Sequence, residues 1–191
     1  CAAASGALGF NGDGWWWEQP LRWAGLLDPR QFTIITKTLT RQPRVGNLKW
    51  WCPWRCVKLI PGGAVNAVGL TNPGIDWWRA RVPGTLRKRG YAVIVSIAPE
   101  TEQEAWDMAW KVRICNHWGN VKGIEVNVSC PNVDHEENVQ HVCKLTRAAL
   151  SHCGDLPILV KLGWQQPYLD VCRELDGEVA AFDLINAVPW N

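Results

Sequence analysis

The chain has 191 residues, of which 47% are hydrophobic and 20% are charged, and its formal net charge is +2 at pH 7. This length and composition predict one folded domain over residues 1–191 and exclude a disordered chain. The charges are dispersed, which disfavours nucleic acid as the main partner, because phosphate neutralisation needs clustered Lys and Arg. No apolar run approaches the roughly 20 residues of a membrane span.

Short apolar, β-branched runs alternate along the chain with longer helical stretches. The clearest runs are near-continuously apolar, as expected for strands that are buried on both faces of a parallel sheet. They are Phe32–Thr36, Ala92–Ile97, Ile124–Val128, Pro157–Leu162 and Phe182–Ile185. Two less regular candidates are Cys1–Ser5 and Ala64–Val68.

Three amphipathic segments lie between these runs and predict helices. The first begins at Thr101, where Glu104 completes a capping-box pattern. Its predicted buried face consists of Ala105, Met108, Ala109 and Val112. The other two helices are predicted over 138–151 and 168–175, the former with Val139, Val142, Leu145 and Ala149 on one face.

This alternation predicts an α/β fold with right-handed crossovers. A doubly wound sheet and a (β/α)8 barrel share the pattern, but the glycines at 6, 9, 12 and 14 do not match a dinucleotide-binding G-x-G-x-x-G. The barrel is therefore favoured. A complete barrel needs roughly 250 residues, so we expect an incomplete (β/α)8 TIM barrel, roughly strands 1–7, in a chain that lacks a starting Met and is cut at both ends.

Cysteine usage favours free thiols in a reducing compartment. The density of 8 cysteines in 191 residues is well below that of disulfide scaffolds. Cys52 and Cys56 have three residues between them, but no second Cys or His pair follows at zinc-ligand spacing, so no metal is predicted. The 14 tryptophans suggest packing or surface cover rather than a function.

Polar residues end the predicted strands, and in a parallel barrel all of these ends lie on one face. Two ammonium groups and several amides there would suit a planar, polar, anionic heterocycle, whereas metal-dependent hydrolysis needs His and carboxylates. A single strand-end Asn is equally compatible with a turn. The residues are Lys37, Asn66, Ser96, Asn127, Lys161 and Asn186.

Cys130 is the candidate nucleophile or base in this set. It lies in a Ser-Cys-Pro-Asn loop just after a predicted strand. A thiol with a pKa of roughly 8.5 acts as a base only where nearby cations or donors lower that pKa. Lys37 and Lys161 are the candidate cations.

Several motifs resemble the dihydroorotate dehydrogenase family, in order and in spacing. They are TKTLT at 36–40, NAVGLTNPG at 66–74, NVSCPN at 127–132, VKL at 160–162 and LIN at 184–186. The resemblance implies an FMN-containing (β/α)8 barrel that oxidises dihydroorotate to orotate in pyrimidine (UMP) biosynthesis. Cys at position 130 resembles the cytosolic class of this family, whereas the membrane-associated class carries Ser there.

The resemblance also assigns roles to residues of this chain. The implied FMN-binding residues are Ala4, Ser5, Gly6, Lys37, Thr38, Asn127, Lys161 and Ile185. The implied substrate-binding residues are Lys37, Asn66, Gly69, Leu70, Asn127, Asn132 and Asn186. Cys130 would remove a proton from C5 of dihydroorotate while a hydride passes from C6 to the flavin. Implied partners are a second copy of the chain or an electron-transfer subunit, with fumarate, NAD or another final acceptor left open.

The family's glycine-rich loops for the FMN phosphate would follow Asn191, so the 191-residue chain is expected to bind FMN weakly and to be inactive alone. Two other interpretations stay open. One is a flavin barrel of the dihydropyrimidine dehydrogenase type acting on uracil-like bases, and the other is a non-catalytic remnant of such a barrel. A tRNA dihydrouridine synthase is less favoured, since no basic, aromatic-rich surface is evident.

Overall fold

The computed structural model describes residues 1–49, 52, 55–128, 139–163 and 166–184 of the chain. Strands and helices alternate along it as the sequence predicts. The strands are β1 (Ala2–Ala3), β2 (Thr33–Ile35), β3 (Val57–Ile60), β4 (Gly63–Asn66), β5 (Ala92–Ile97), β6 (Val121–Asn127), β7 (Ile158–Leu162) and β8 (Ala181–Leu184). The α-helices are α1 (Gln19–Trp23), α2 (Ile75–Arg89), α3 (Glu102–Ile114), α4 (Val139–Leu150) and α5 (Tyr168–Glu174).

Six of these strands form one parallel sheet in the order β1-β2-β5-β6-β7-β8. Each strand therefore pairs with the next strand of the sheet along the chain. Every carboxyl end lies at the same edge, as expected for consecutive right-handed crossovers. This edge is where the predicted functional residues belong.

Helices α2 to α5 all contribute to one apolar core with the sheet. The strand residues in that core alternate along β5, β6 and β7, so that one face of each strand meets the helices. They are Ile34, Val93, Val95, Ile97, Ile124, Val126, Ile158, Val160 and Leu162, and Val121 joins them at the start of β6, before the register shift between β5 and β6. Helices on one face and sequential strand order are barrel features, whereas a doubly wound sheet carries helices on both faces. The predicted class, an incomplete (β/α)8 barrel, is confirmed.

One strand prediction is wrong in its placement. The segment 64–68 was expected to be a strand of the parallel sheet, but β4 pairs antiparallel with β3 in a separate hairpin. The hairpin turns at Pro61 and Gly62, and Gly62 has φ +82°. Hairpin pairing depends on the partner strand, and β3 (VKLI) was not recognised in the sequence.

The helix at Thr101 forms as the capping pattern predicts. The Thr101 side chain accepts a hydrogen bond from the Glu104 backbone N–H at 3.2 Å. The Glu104 carboxylate accepts from the Glu100 N–H rather than from that of Thr101, so the reciprocal half of the box is displaced by one residue. The predicted apolar face of α3 is completely buried: Ala105, Met108, Ala109 and Val112.

Helix α2 was not predicted, because Pro83 and Gly84 interrupt its pattern. Its buried side chains are nevertheless spaced helically at Ile75, Trp78, Val82 and Leu86. The helix ends at Gly90, which is left-handed at φ +70°. No helix among the described residues is long and apolar enough to cross a membrane.

The described tryptophans both fill the core and cover the surface. Trp78 on α2 is fully buried, and its indole N–H donates to the backbone oxygen of Phe10 at 3.0 Å. This bond attaches the segment after β1 to the helical layer. Trp23 at the end of α1 is instead 81% exposed.

These two tryptophans form a matched pair for a stability test. Trp78→Ala removes a buried ring and its hydrogen bond, and we expect a loss of about 3–5 kcal/mol in the free energy of unfolding. Trp23→Ala should change it by less than about 0.5 kcal/mol. Urea titration followed by circular dichroism measures both. Equal losses in the two variants would contradict the burial of Trp78.

Candidate functional site

A chain of buried hydroxyl and amide groups crosses the carboxyl ends of three neighbouring strands. Thr38, just after β2, shares a hydrogen bond of 2.9 Å with Ser96 of β5, hydroxyl to hydroxyl. The Asn127 amide at the end of β6 donates to the Thr38 hydroxyl at 3.0 Å. Ser96 is fully buried, and Thr38 and Asn127 are nearly so. The structure thus brings two predicted strand-end residues, Ser96 and Asn127, together with Thr38, which the resemblance assigns to FMN.

Glu125 extends this chain into the interior of the sheet. It lies on β6 two residues before Asn127 and pairs in register with Ser96. The Ser96 hydroxyl donates to the Glu125 carboxylate at 2.5 Å. Glu125 is completely buried. A buried carboxylate is costly unless it is paired or protonated.

Lys161 brings a positive charge to the same layer. It lies on β7, in register with Asn127 on one side and Asp183 of β8 on the other. Lys161 is 9% exposed, and its ammonium lies 3.8 Å from the Asp183 carboxylate. Parallel register therefore places an amide, an ammonium and a carboxylate side by side at the strand ends.

Burial is the main reason for an unusual pKa at Glu125, which is raised to about 7. The Lys161 ammonium and the hydrogen bond from Ser96 oppose this increase. Asp183 adds to it, through its negative charge and because a hydrogen bond to the Asp183 carboxyl favours the protonated form of Glu125. The interior carboxyl therefore titrates near neutral pH.

The turn after β1 is fastened to β2. The Gly6 N–H donates to the Ile35 oxygen at 3.1 Å, and the Ser5 hydroxyl donates to the Thr36 oxygen at 3.0 Å. Gly6 has φ +80°, and a Cβ there would lie 3.4 Å from the Cβ of Lys37. Glycine thus leaves bare backbone beside Lys37, while Ala4, one residue before Ser5, is exposed.

The segment 66–74, predicted to hold a substrate, is held in a strained conformation. Leu70 has φ +52°, the one positive φ at a non-glycine residue in the described part of the chain. The buried Asn72 amide donates to the Leu70 oxygen at 2.6 Å, and its Oδ1 accepts from the Gly74 N–H at 2.8 Å. Gly46 packs so closely that a Cβ there would lie 2.8 Å from the Gly69 oxygen.

Asn66 does not end a strand of the parallel sheet, contrary to expectation. It ends β4 in the hairpin, paired with Val57. The hairpin is nevertheless near Lys37: burial raises the pKa of the Cys56 thiol, next to Val57, while the Lys37 ammonium acts to lower it. Lys37 is half-buried, and its backbone N–H donates to the Gly9 oxygen at 2.8 Å.

Other predicted site residues lie outside the described residues: Cys130, Asn132, Ile185 and Asn186. The described residues extend to Val128, two positions before Cys130. The Gln166 amide, buried after β7, donates to the backbone oxygen of Val128 at 3.0 Å, and its Oε1 accepts from the Gly163 N–H at 2.7 Å. Val128, the second residue of NVSCPN, is thus fixed to the segment that follows β7.

Sequence reasoning missed Glu125, Asp183 and Gln166. The signal for the first two was an acidic residue inside an apolar run, in IEVNV and in FDLI. A charge there is either buried with a partner or marks an exposed face, but the apolar residues of both runs predict a strand whichever of the two holds. Among the described residues no group of three or more His, Cys, Asp or Glu is arranged to hold a metal ion.

The family model described as Dihydroorotate dehydrogenase matches residues 22–186. A similar curated protein is the catalytic subunit of dihydroorotate dehydrogenase B (NAD(+)) of Thermoanaerobacter pseudethanolicus, 34% identical over 193 residues, which cover 97% of this chain and 58% of that protein. The protein of the same name from Listeria innocua is 34% identical over 139 residues, 68% of this chain and 41% of its own length. The protein of that name from Maridesulfovibrio salexigens is 28% identical over 162 residues, which cover 81% of this chain and 50% of that protein. The chain spans at most 58% of the length of these relatives.

The raised pKa of Glu125 predicts a pH-dependent stability. Its folded pKa of about 7 exceeds the ordinary value of 4.5, so the folded state holds a proton that the unfolded state has lost. The contribution is complete below pH 4.5 and is lost as the pH rises through 7, by roughly 3 kcal/mol. Glu125→Gln should remove this slope from urea unfolding measured between pH 5 and 8.

Glu102→Gln provides the control, since Glu102 is exposed at the start of α3. This variant should keep the wild-type slope. A Glu125→Gln variant whose stability falls with pH as steeply as that of the wild type would contradict the assignment.

Proposed function

Because the chain belongs to the dihydroorotate dehydrogenase family, we propose that it forms part of an FMN-dependent enzyme that oxidises dihydroorotate to orotate in pyrimidine biosynthesis. The observation that carries this proposal is the line of buried groups at the strand ends, from Thr38 through Ser96 and Asn127 to Lys161. We propose residues 1–191 as one partial barrel domain of that enzyme.

The donor set suits the flavin of FMN. A flavin ring is planar, accepts hydrogen bonds at its carbonyl and ring nitrogen atoms, and becomes anionic on reduction. Asn127 and Lys161 offer an amide and an ammonium on adjacent strands, and Gly6 leaves backbone uncovered beside Lys37. FMN, when bound, supplies the two-electron acceptor. We assign its binding to Ala4, Ser5, Gly6, Lys37, Thr38, Asn127, Lys161 and Ile185.

The chain's own residues then handle the substrate and one proton. Cys130, as thiolate, takes the proton from C5 of dihydroorotate and becomes the neutral thiol. We assign to the ammonium groups of Lys37 and Lys161 the role of favouring the thiolate, because a positive charge close to a thiol lowers its pKa. Amide and backbone groups bind the pyrimidine ring, and we assign this role to Lys37, Asn66, Gly69, Leu70, Asn127, Asn132 and Asn186.

The strained loop around Leu70 supports the substrate assignment. Strained backbone of this kind costs on the order of 1–3 kcal/mol and persists where surrounding contacts hold it. Here the Asn72 side chain and the close packing of Gly46 hold it through contacts within the chain itself. A loop fixed in advance loses little entropy on binding.

We further propose a partner that removes the electrons. The relatives above are named as catalytic subunits of an NAD(+) enzyme, which supports an electron-transfer subunit as partner, with a second copy of the chain as the alternative. Cys at position 130 supports a cytoplasmic location.

The function is tested on the protein expressed from its whole reading frame. The purified protein should be yellow, with FMN released on denaturation, and anaerobic dihydroorotate should bleach the flavin absorbance. Dihydrouracil should not bleach it. A protein that binds no flavin, or whose flavin only dihydrouracil reduces, would overturn the proposal.

Cys130→Ala tests the base. We expect flavin reduction by dihydroorotate to slow by about 10²- to 10⁴-fold, the usual contribution of a positioned proton acceptor. Cys130→Ser should regain part of the rate at high pH only, since a hydroxyl is much harder to ionise than a thiol. Stopped-flow absorbance in single turnovers measures both variants.

Cys172→Ala is the matched control, because Cys172 on α5 packs against the helical side of the core. It should reduce flavin at the wild-type rate. Cys130→Ala reacting at that same rate across the pH range would show that another group accepts the proton.

A further inference from the structure

The buried carboxyl of Glu125 has no role in the function proposed above, although it lies directly beneath the residues assigned to the flavin. One of its oxygens accepts the hydrogen bond from Ser96. The other, Oε2, is buried and finds no hydrogen-bond donor among the described residues. A buried acceptor without a donor is rare in native proteins, and its presence needs an explanation.

Asp183 offers that explanation. Its carboxylate lies 3.8 Å from the Lys161 ammonium, and it raises the pKa of Glu125 both as a negative charge and as an acceptor for a proton on Glu125. Two ionised carboxylates only accept, so a hydrogen bond between them requires a proton on one of them. A proton between the two groups would satisfy Oε2 and remove the repulsion between them.

The proton on the two carboxyl groups sets the net charge around Lys161. Among the described residues, the charged groups that act on Glu125 are Lys161 of β7 and Asp183 of β8, while Ser96 of β5 contributes a neutral donor. With the shared proton, Lys161 and the two carboxyls sum to zero charge. Without it, they sum to −1, which repels an anion at the strand ends.

We propose that Glu125 and Asp183 share one proton, and that this proton leaves the charge of Lys161 available to an anionic ring at the strand ends. Glu125 is then a positioning residue, acting on the cofactor through Lys161. The second half of the proposal rests on the proposed function, because it takes the anionic ring to be reduced FMN.

The shared proton is tested without flavin, by infrared titration of the apoprotein. The wild type should show a carboxylic acid carbonyl band that disappears as the pH rises through neutrality. Glu125→Gln should abolish this band. Asp183→Asn should move its midpoint down by at least one pH unit, because the variant removes the opposing charge and offers an amide donor to Oε2.

Glu102→Gln, the exposed control, should leave the band unchanged. A wild type without a carboxyl that titrates near neutrality would overturn the shared proton. A midpoint that Asp183→Asn does not move would overturn it as well. Circular dichroism of each variant confirms folding, and a conservative Glu125→Asp change provides a second variant should Glu125→Gln not fold.

The effect on Lys161 is tested by the flavin reduction potential of the holoprotein. At pH 8, where Glu125 is mostly ionised in the wild type, Glu125→Gln should favour reduced over oxidised flavin about tenfold, or about 30 mV for a two-electron couple. At pH 5.5 the two proteins should agree. Equal potentials at both pH values would overturn the coupling. A protein that binds no FMN would defeat the proposed function and this coupling, while the infrared result would still decide the shared proton.

Discussion

Helices α2 to α5 all pack against one face of the parallel sheet, and the chemistry of the opposite face depends on this constraint. Since side chains alternate along a strand, every residue that meets the helices has neighbours that point the other way. On β5 and β6 those neighbours include Ser96, Glu125 and Asn127. The apolar side chains are buried between the helices and the sheet. The opposite face of the sheet, here called the inner face, can therefore hold polar groups where each of them has a partner.

Pairing on that inner face follows from parallel register. Because consecutive strands run in the same direction, Asn127, Lys161 and Asp183 fall at one level without any long loop to bring them together. Each hydrogen bond contributes only about 0.5–1.5 kcal/mol to stability, but leaving one buried partner unpaired costs about 1–3 kcal/mol. Such a network therefore adds little to the free energy of unfolding. Its main effect is to determine which side chains face each other at the strand ends.

The local parts of this architecture could be predicted from the sequence. The run Ala92–Ile97 and the apolar face of α3 are patterns within single segments, and the structure reproduces both. The hairpin could not be predicted in the same way, because β4 resembles a sheet strand until its antiparallel partner β3 is known. The polar residue types at the strand ends were predictable, whereas the contact between Thr38 and Asn127, 89 residues apart, depends on tertiary register.

The missed acidic residues show a further limit of pattern analysis. In IEVNV the apolar residues determine that the segment is a strand, and the acid contributes nothing to that prediction. Its meaning appears only when the neighbouring strands supply Ser96 on one side and the Lys161 charge on the other. A buried charge is tolerated where such partners exist. An acidic residue in an apolar strand therefore predicts a partner on an adjacent strand, and here one of the two partners, Lys161, is among the residues that the family resemblance assigns to the flavin.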